Sequence, residues 1–591
     1  MPVNPHNPLV VQSDRTVLLE VQNDLYELAR DALARFAELE KSPEYLHTYR
    51  ITPLSLWNAA AAGLGADQII ESLEQYAKYD LPGNVRVEIA EQVGRYGRIR
   101  LTRREDDLLL ESDDAALIAE IARHKNIAPF VTAQPDGHTL RADLAHRGRL
   151  KQALVGVGYP AQDEAGYTEG RHLPLRLRSP ALSGALFDLR QYQQSAVQVF
   201  HAEGAASGGS GVIVLPCGAG KTMVGMGVMA ALQTATLILT PSTVAARQWI
   251  DELLDKTTLT PEQIGEYSGL EKEIRPVTIA TYQIVSYRQR RDGGFPHFGL
   301  FDREDWGLII YDEVHLLPAP VFRITADLQA RRRLGLTATL VREDGHEKDV
   351  FSLIGPKKFD VPWKVLEKQG WIATAECHEI RLHLPDDQRM EYALIDEREK
   401  YRFAAENPVK LRVLEQVLAK HRRDTVLIIG QYLDQLDRIA ERLKAPLITG
   451  ATKVAERQRL FGALRSGEIT CLVVSKVGNF AVDLPDANVL IQVSGTFGSR
   501  QEEAQRLGRI LRPKRNGLLA HFYTLVTRET RDQEFAANRQ LFLTEQGYHY
   551  DILYESEVAD FQPATLAAEA RPVHRQVPPQ VAAPDDSRPP A

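Results

Sequence analysis

Two series of short apolar runs, separated by helical stretches, limit the folds open to this chain. The first series lies between about residues 185 and 370 and contains VIVL, TLILT, VTIA, GLIIY and LGLT. The second lies between about 409 and 530 and contains TVLIIG, PLIT, CLVVS, NVLIQV and HFYTLV. Apolar strands that alternate with helices indicate a parallel sheet covered by helices on both faces. The sequence therefore predicts the α/β class, with two doubly wound parallel-sheet lobes in tandem.

A length of 591 residues exceeds what one hydrophobic core supports, so several domains are expected. Three helical patterns, the first capped by Thr52 and Pro53, precede the hairpin-like run RIRLTRREDDLLLES and together resemble a winged helix. The tail is rich in proline, alanine and charge, which predicts disorder. We place the domains at 1–112 (helical), 113–180 (α+β, with an alternative start near 97), 181–370 (lobe one), 371–555 (lobe two) and 562–591 (disordered tail).

Composition excludes several classes of protein. The three cysteines, Cys217, Cys377 and Cys471, lie far apart and without CxxC spacing, which excludes a disulfide scaffold and a zinc-thiolate site. Neither a secretory leader nor an 18-residue apolar run is found, so we expect a cytoplasmic protein with no membrane contact. The net charge of −8 does not exclude a nucleic-acid partner, because local basic clusters such as RYGRIRLTRR and RLGRILRPKR occur.

The segment GVIVLPCGAGKTMVGM, which begins at Gly211, places a glycine-containing loop between a strand and a helix. Backbone N–H groups of such a loop converge on an anion at the helix N-terminus, where the helix dipole also favours negative charge. A polyphosphate fits this description. Lys221 would reach the outer phosphates, and the Thr222 hydroxyl would hold a magnesium ion. The predicted phosphate loop itself contains Pro216, Cys217, Gly218, Ala219 and Gly220.

Two acidic residues follow the apolar strand of LIIYDEVH. Ligands of open parallel sheets bind at the carboxyl ends of the strands, where Asp312 and Glu313 would lie. Asp312 is placed to hold magnesium, directly or through water, and Glu313 to position and deprotonate the attacking water. The pair therefore predicts hydrolysis of the bound polyphosphate.

The second lobe contains candidate arginines for the same reaction. Phosphoryl transfer needs positive charge at the equatorial phosphate oxygens, and a second lobe can supply it. In QRLGRILR, Arg509 and Arg512 are three residues apart on one helical face, and Gln505 lies one turn before Arg509. We expect these three residues to face the cleft between the lobes.

Taken together, PCGAGKT, DEVH, GLTATLVRED, SKVGNFAVDLPDANVLIQVS and EEAQRLGRILR resemble the superfamily 2 helicases, and among them the XPB family. The loop form PxGxGKT is typical of helicase-type motors, although Leu215 stands where the general phosphate-loop pattern has glycine. The resemblance covers about residues 185–530 and implies two RecA-like lobes, ATP and Mg²⁺ as cofactors, and 3′ to 5′ movement on DNA.

The resemblance also implies roles for further residues. Arg190 and Gln193 match the adenine-reading element, and Arg342, Glu343 and Asp344 match a motif linked to strand separation. Residues that match the motifs gripping the nucleic-acid backbone are Thr240, Ser242, Thr281 and Ser475. Residues 385–408 resemble the thumb insertion of the family, and about 97–165 its damage-recognition domain. The chain lacks the long acidic insertions of eukaryotic members, so a stand-alone bacterial-type enzyme is the nearer likeness.

The leading hypothesis is an ATP-dependent DNA helicase or translocase in repair or transcription-linked processes. One alternative is a double-stranded DNA translocase that remodels protein–DNA complexes without net unwinding. A second is an inactive DNA-binding scaffold, which the presence of Lys221, Glu313 and Arg512 disfavours. An RNA helicase fits the motifs less well. The predicted partners are single-stranded and forked or duplex DNA, with a repair nuclease or transcription partner bound through the N-terminal region.

Overall fold

The computed structural model describes residues 4–43, 45–105, 107–134, 136–205, 208–289, 295–329, 331–339, 347–475, 487–495, 499–508, 510–511 and 519–564. Within these ranges the chain forms four β-sheets, of which two are seven-stranded. No helix in this part of the chain has the length and apolar character needed to span a membrane.

The N-terminal region contains a four-stranded antiparallel sheet in the order β1-β2-β4-β3, which the sequence patterns did not predict. Its strands are short, and β3 has the polar sequence ELEK, so they lack the apolar alternation that signals a strand. The side chain of Thr52 accepts from the backbone N–H of Ser55 and caps the second helix, as expected. The elements are β1 Leu9–Val11, β2 Thr16–Glu20, α1 Tyr26–Leu33, β3 Glu38–Lys41, β4 Leu46–Arg50, α2 Pro53–Ala61, α3 Ala66–Tyr76 and α4 Gly83–Arg95.

A five-stranded sheet in the order β7-β8-β6-β5-β9 follows. The hairpin of β5 and β6 pairs with β8 and β9 of this sheet, so the winged-helix interpretation, in which the hairpin joins the preceding helices, is wrong. A boundary at 112 would cut the sheet, and we therefore prefer the start near 97. The elements are β5 Arg100–Arg104, β6 Asp107–Glu111, α5 Ala115–Arg123, β7 Val131–Ala133, β8 Thr139–Asp143, α6 Arg147–Gly156 and β9 Gln162–Asp163.

The first lobe contains a parallel sheet in the order β12-β13-β11-β14-β15-β10-β16. Its central strands are buried along their whole length, which explains their continuous apolar sequences. The strands are β10 Ser210–Val214, β11 Thr236–Thr240, β12 Ile264–Tyr267, β13 Val277–Thr281, β14 Leu308–Asp312, β15 Arg332–Thr337 and β16 Lys357–Asp360. The helices are α7 Gln191–His201, α8 Lys221–Leu232, α9 Thr243–Lys256, α10 Tyr282–Val285, α11 Ala319–Asp327, α12 Glu347–Asp349 and α13 Trp363–Lys368.

The second lobe repeats this architecture in the order β19-β20-β18-β21-β22-β17-β23, again with parallel pairing. The strands are β17 Ala375–Leu382, β18 Val426–Gly430, β19 Leu447–Ile448, β20 Cys471–Ser475, β21 Val489–Gln492, β22 Ala520–Thr527 and β23 Tyr550–Tyr554. The helices are α14 Asp386–Leu394, α15 Glu397–Ala405, α16 Val409–Lys420, α17 Leu433–Leu443, α18 Val454–Ser466, α19 Arg500–Gly508 and α20 Arg531–Glu545. The predicted class of two tandem parallel-sheet lobes with a smaller mixed N-terminal region is confirmed.

The segment predicted to be a thumb insertion forms α14 and α15. Helix α14 buries none of its residues, and Met390 and Leu394 are 70% and 80% exposed. Helix α15 is anchored by Tyr401, whose hydroxyl donates to the backbone oxygen of Gly495. The segment therefore has one helix anchored by a buried tyrosine and one exposed helix, whose Tyr392 hydroxyl accepts from the Arg531 backbone N–H.

A buried ion pair joins α16 to α20 in the second lobe. Lys410 Nζ donates to Asp532 Oδ2 at 2.7 Å and to the Val493 backbone oxygen at 2.9 Å. Both side chains are almost wholly excluded from solvent. Because neither charge is hydrated, each depends on the other for its stability.

We expect Lys410→Met to destabilise the second lobe by about 3 kcal/mol, because it leaves the Asp532 carboxylate buried without its closest cation. This corresponds to a fall of about 6–12 °C in melting temperature. The control is Lys453→Met at an exposed site of the same lobe, which should melt as the wild type does. Equal melting temperatures for the two variants would contradict the prediction.

Candidate active site

The phosphate loop joins β10 to α8 at the carboxyl edge of the first sheet. Gly218 and Gly220 have φ values of +82° and +80°, in the left-handed region that glycine adopts without strain. A Cβ atom at Gly220 would lie 2.5 Å from Gln193 Nε2, so a larger residue would also clash there. Helix α8 begins directly after Gly220. The loop and the helix N-terminus together form the geometry of a phosphate cradle.

Lys221 and Glu313 bring the loop and the acidic pair together. Lys221 Nζ lies 3.2 Å from Glu313 Oε1, and the two side chains are 11% and 17% exposed. Burial lowers the pKa of Lys221, but the neighbouring negative groups, of which the Glu313 carboxylate acts most strongly, together outweigh burial and raise the pKa. Burial likewise acts to raise the pKa of Glu313, but the Lys221 cation, together with His315 and a backbone hydrogen bond from Ala338, lowers it overall. Both groups are therefore charged at neutral pH.

Asp312 lies at the end of β14 and is held by two aromatic side chains. Trp249 Nε1 donates to Asp312 Oδ2 at 3.0 Å, and the Tyr282 hydroxyl donates to the Asp312 backbone oxygen at 2.8 Å. Burial and then the neighbouring Glu313 charge raise the pKa of Asp312 to about 6. Two half-buried carboxylates beside a phosphate loop suit a divalent cation with oxygen ligands, so the donor set fits Mg²⁺.

A chain of polar side chains leads from Glu313 to the end of β15, with a hydrogen bond between His315 and Thr337. His315 Nδ1 lies 3.4 Å from Glu313 Oε2 and 2.7 Å from Thr337 Oγ1. Since Thr337 Oγ1 donates to the Thr339 backbone oxygen at 2.5 Å, it accepts the hydrogen bond from His315. The chain ends just before Arg342, Glu343 and Asp344, which lie outside the described residues.

The predicted adenine-reading residues lie against the phosphate loop. Gln193 Nε2 donates to the Ala219 backbone oxygen at 2.9 Å, and Gln193 Oε1 accepts from the Arg190 backbone N–H at 2.9 Å. The Arg190 guanidinium lies 4.5 Å from the centre of the Trp371 ring. Tyr192 donates its hydroxyl to the same Ala219 oxygen at 2.6 Å. The structure thus places an aromatic ring and a guanidinium group next to the loop.

The second lobe reaches the phosphate loop through the end of α19. A Cβ atom at Gly508 would lie only 2.2 Å from Cys217 Cβ, so this glycine allows direct contact between the two lobes. Arg506 on the same helix is buried and donates to Gln492 of β21, which fixes α19 on its own sheet. The predictions for Arg509, Arg512 and the side chain of Gln505 lie outside the described residues.

The predicted backbone-gripping residues lie at carboxyl ends of strands. Thr240 is paired in register with Thr281, and both are buried. Ser242 and Thr281 cap α9 and α10 by accepting from Ala245 and Ile284 backbone N–H groups. In the second lobe, Ser475 ends β20 and is also buried. Because Ser242 and Thr281 serve as caps, the accompanying helix N-termini are the better anion-binding groups here.

Family models match three parts of the chain. Residues 366–587 match the ERCC3/RAD25/XPB C-terminal helicase model, 186–342 the res subunit of type III restriction enzymes, and 9–135 a helicase conserved C-terminal domain. The DNA 3′-5′ helicase XPB of Kineococcus radiotolerans is 55% identical over 552 residues, which is 93% of this chain and 97% of that protein. The chain belongs to the XPB family.

Two further relatives agree with this assignment to the XPB family. The DNA 3′-5′ helicase XPB of Mycobacterium tuberculosis is 55% identical over 92% of this chain and 97% of its own length. The putative DNA 3′-5′ helicase Rad25 of Halobacterium salinarum is 37% identical over 88% of this chain and 83% of its own length. The resemblance stated from the motifs is thereby confirmed.

In this XPB-family site, sequence motifs did not identify several of the contacting side chains. Trp249 is 63 positions from Asp312, so no local pattern connects them. The histidine of DEVH is the exception, because it lies two residues from the predicted base. The side chains missed as site residues are Tyr192, Trp249, Tyr282, His315 and Trp371.

We expect Gly508→Ala to impair this XPB-family enzyme at the contact between the lobes. The added methyl group would overlap Cys217, and overpacking of this kind costs about 1–3 kcal/mol. If the contact is made as ATP is hydrolysed, steady-state turnover should fall roughly 5- to 150-fold.

The matched control for Gly508→Ala is Gly462→Ala in α18, where nothing lies within 4 Å of an added Cβ. The measurement is steady-state ATP hydrolysis with saturating DNA. Unchanged turnover in Gly508→Ala would mean that α19 does not approach the loop during the reaction.

Proposed function

We propose that this protein is an ATP-dependent DNA helicase that moves 3′ to 5′ on DNA in repair or a transcription-linked process. Membership of the XPB family supports the class of activity. The observation that carries the proposal is the 3.2 Å contact of Lys221 with Glu313, made beside a loop that the second lobe also contacts. A phosphate-binding cation, a candidate base and the second lobe thus meet at one place.

The nucleotide step follows from these contacts. Backbone N–H groups from Gly218 to Thr222 bind the phosphates, and Lys221 turns from Glu313 toward the outer phosphate oxygens. Glu313 then loses its cation and becomes free to orient and deprotonate water, while His315 lies 3.4 Å from its other oxygen. Thr222 and Asp312 would hold Mg²⁺, which neutralises charge on the phosphates when bound.

Movement on DNA requires the two lobes to close and open in each cycle. We assign Arg509 and Arg512, with Gln505 beside them, to the outer phosphate from the side of the second lobe. Thr240, Ser242, Thr281 and Ser475 mark the strand ends across which the DNA backbone lies. Helix N-termini at these ends bind phosphates without reading bases, so we expect little sequence preference.

The biological setting is part of the proposal. We place the protein in the cytoplasm, and we assign the N-terminal region to binding a repair nuclease or a transcription partner. The double-stranded DNA translocase is an alternative outcome of the activity tests. ATP hydrolysis measured without nucleic acid, and with single-stranded, duplex and forked DNA and RNA, separates these outcomes.

We expect Lys221→Ala and Glu313→Gln to abolish turnover in different ways. Removal of Lys221 takes away the cation that compensates phosphate charge, so nucleotide binding and hydrolysis should both fall. Glu313→Gln keeps the shape but cannot accept a proton, so ATP should bind while turnover falls about 10²- to 10⁴-fold. Titration with a fluorescent ATP analogue and a phosphate-release assay measure the two effects.

Glu262→Gln, at an exposed position of the same lobe, is the matched control for Glu313→Gln. It should hydrolyse ATP at the wild-type rate. Wild-type turnover in Glu313→Gln would instead show that another group activates the water.

We expect replacement of Arg342, Glu343 and Asp344 by alanine to uncouple hydrolysis from unwinding. DNA-stimulated ATPase should remain mostly intact, because these residues follow the hydrolytic motifs, while unwinding of a forked duplex should fall at least about tenfold. The control removes the same charges from exposed positions on α17, through alanine at Asp437, Arg438 and Glu441. A proportional loss of both activities would place the triad in the hydrolytic cycle and favour the translocase.

A further inference from the structure

Three metal-ligating side chains converge at the amino edge of the second sheet, on the side opposite the strand ends that face the nucleotide. Glu376 and His378 lie on β17, and His521 lies on the adjacent strand β22, directly opposite Glu376 in the register. Each residue offers one ligand atom, and these atoms all lie within 4.8 Å of one another.

The distances in this cluster suit a metal ion better than a hydrogen bond. Glu376 Oε2 lies 3.7 Å from His378 Nε2 and 3.7 Å from His521 Nδ1. Both distances exceed those of ordinary hydrogen bonds. Ligand atoms about 2.0–2.1 Å from a tetrahedral zinc ion are separated by roughly 3.3–3.4 Å, so small side-chain movements would complete the site.

Both histidines are buried, and their ring nitrogens lack partners. The side chains of His378 and His521 are 2% and 5% exposed. Among the described residues, no hydrogen-bond partner is found for either ring nitrogen of His378 or for Nδ1 of His521. A buried polar atom without a partner costs about 1–3 kcal/mol, so this arrangement calls for a ligand.

His421, which lies beside His521, shows how a buried histidine in the same cluster is otherwise satisfied. Its Nδ1 lies 2.7 Å from Asp424 Oδ2, and its Nε2 lies 2.8 Å from the Tyr523 hydroxyl. His421 therefore has both nitrogens engaged and is not a candidate ligand. The contrast separates a structural histidine from two that point at a common centre.

Neighbouring groups complete the surroundings of the cluster. The His378 ring stacks on Tyr523 with centroids 4.9 Å apart and meets Phe561 at 5.0 Å. Asp551 Oδ2 of β23 lies 3.8 Å from His378 Nδ1, where a carboxylate can orient a ligating imidazole. The aromatic rings cover His378, and a small side-chain movement would make Asp551 the outer partner that metal-bound histidines use.

We infer that Glu376, His378 and His521 bind one divalent transition-metal ion, with zinc the best match. Two imidazoles and one carboxylate are a ligand set that zinc favours, and water can fill the fourth position. The ion would tie β17 to β22. Its role is structural, because the amino edge of the sheet is remote from the predicted chemistry.

The test uses the full chain without a histidine tag. After incubation with zinc and removal of loosely held metal, elemental analysis should find one zinc ion per chain. Zinc should also raise the melting temperature, and Co²⁺ in its place should give the visible absorption bands of a four-coordinate ion. Glu376→Gln and His521→Asn should weaken zinc binding by more than the roughly 10- to 100-fold typical of outer-shell changes.

His421→Gln is the matched control, because it changes a buried histidine of the cluster that is not a proposed ligand. It should retain one zinc ion even if it melts at a lower temperature. Glu376→Gln preserves size and the half-buried position, so it remains informative if a histidine variant fails to fold. Wild-type protein that holds no zinc, or equal zinc affinity in Glu376→Gln, would overturn the inference.

Discussion

The parallel pairing of strands is the constraint on which this molecule depends. In a parallel sheet every strand ends at the same edge, so residues far apart in sequence meet there. In the first sheet, Val214 is in register with Thr337, and Thr240 with Thr281. The phosphate loop, the acidic pair and the helix caps all follow such strand ends. One topological rule thus brings together the phosphate loop and the acidic pair.

Within that arrangement, the electrostatics of the site are built on mutual compensation between buried charges. Lys221 and Glu313 keep each other ionised although burial opposes both charges, whereas Asp312 has Trp249 as a neutral donor and a raised pKa. Glu313 also has a φ of +50°, an uncommon backbone conformation for a residue with a side chain. The arrival of a charged phosphate would therefore change the balance of charge among Lys221, Glu313 and Asp312.

The fold class and the meeting of the phosphate loop with the acidic pair were predictable because their signals are local. Apolar runs identified the buried strands, and PCGAGKT and DEVH identified the loop and the acids within a few residues. What was missed depends on contacts between distant parts of the chain. Trp249 reaches Asp312, β5 and β6 pair with β8, and His378 meets His521 only through strand pairing. The polar strand β3 carries no apolar alternation at all, and tertiary pairing alone makes it a strand.

Because Gly508 contacts Cys217, the exposure of the Cys217 thiol depends on the separation of the two lobes. Cys217 and Cys471 are both partly exposed, and Cys377 is buried. Burial raises the pKa of the Cys471 thiol to about 11 and also raises that of Cys377, so these two are poor nucleophiles. A small alkylating reagent would therefore react first at Cys217, at a rate set by how often α19 lifts from the loop. The rate at which Cys217 is alkylated would in this way measure the fraction of molecules with separated lobes at each step of the cycle, without an engineered label.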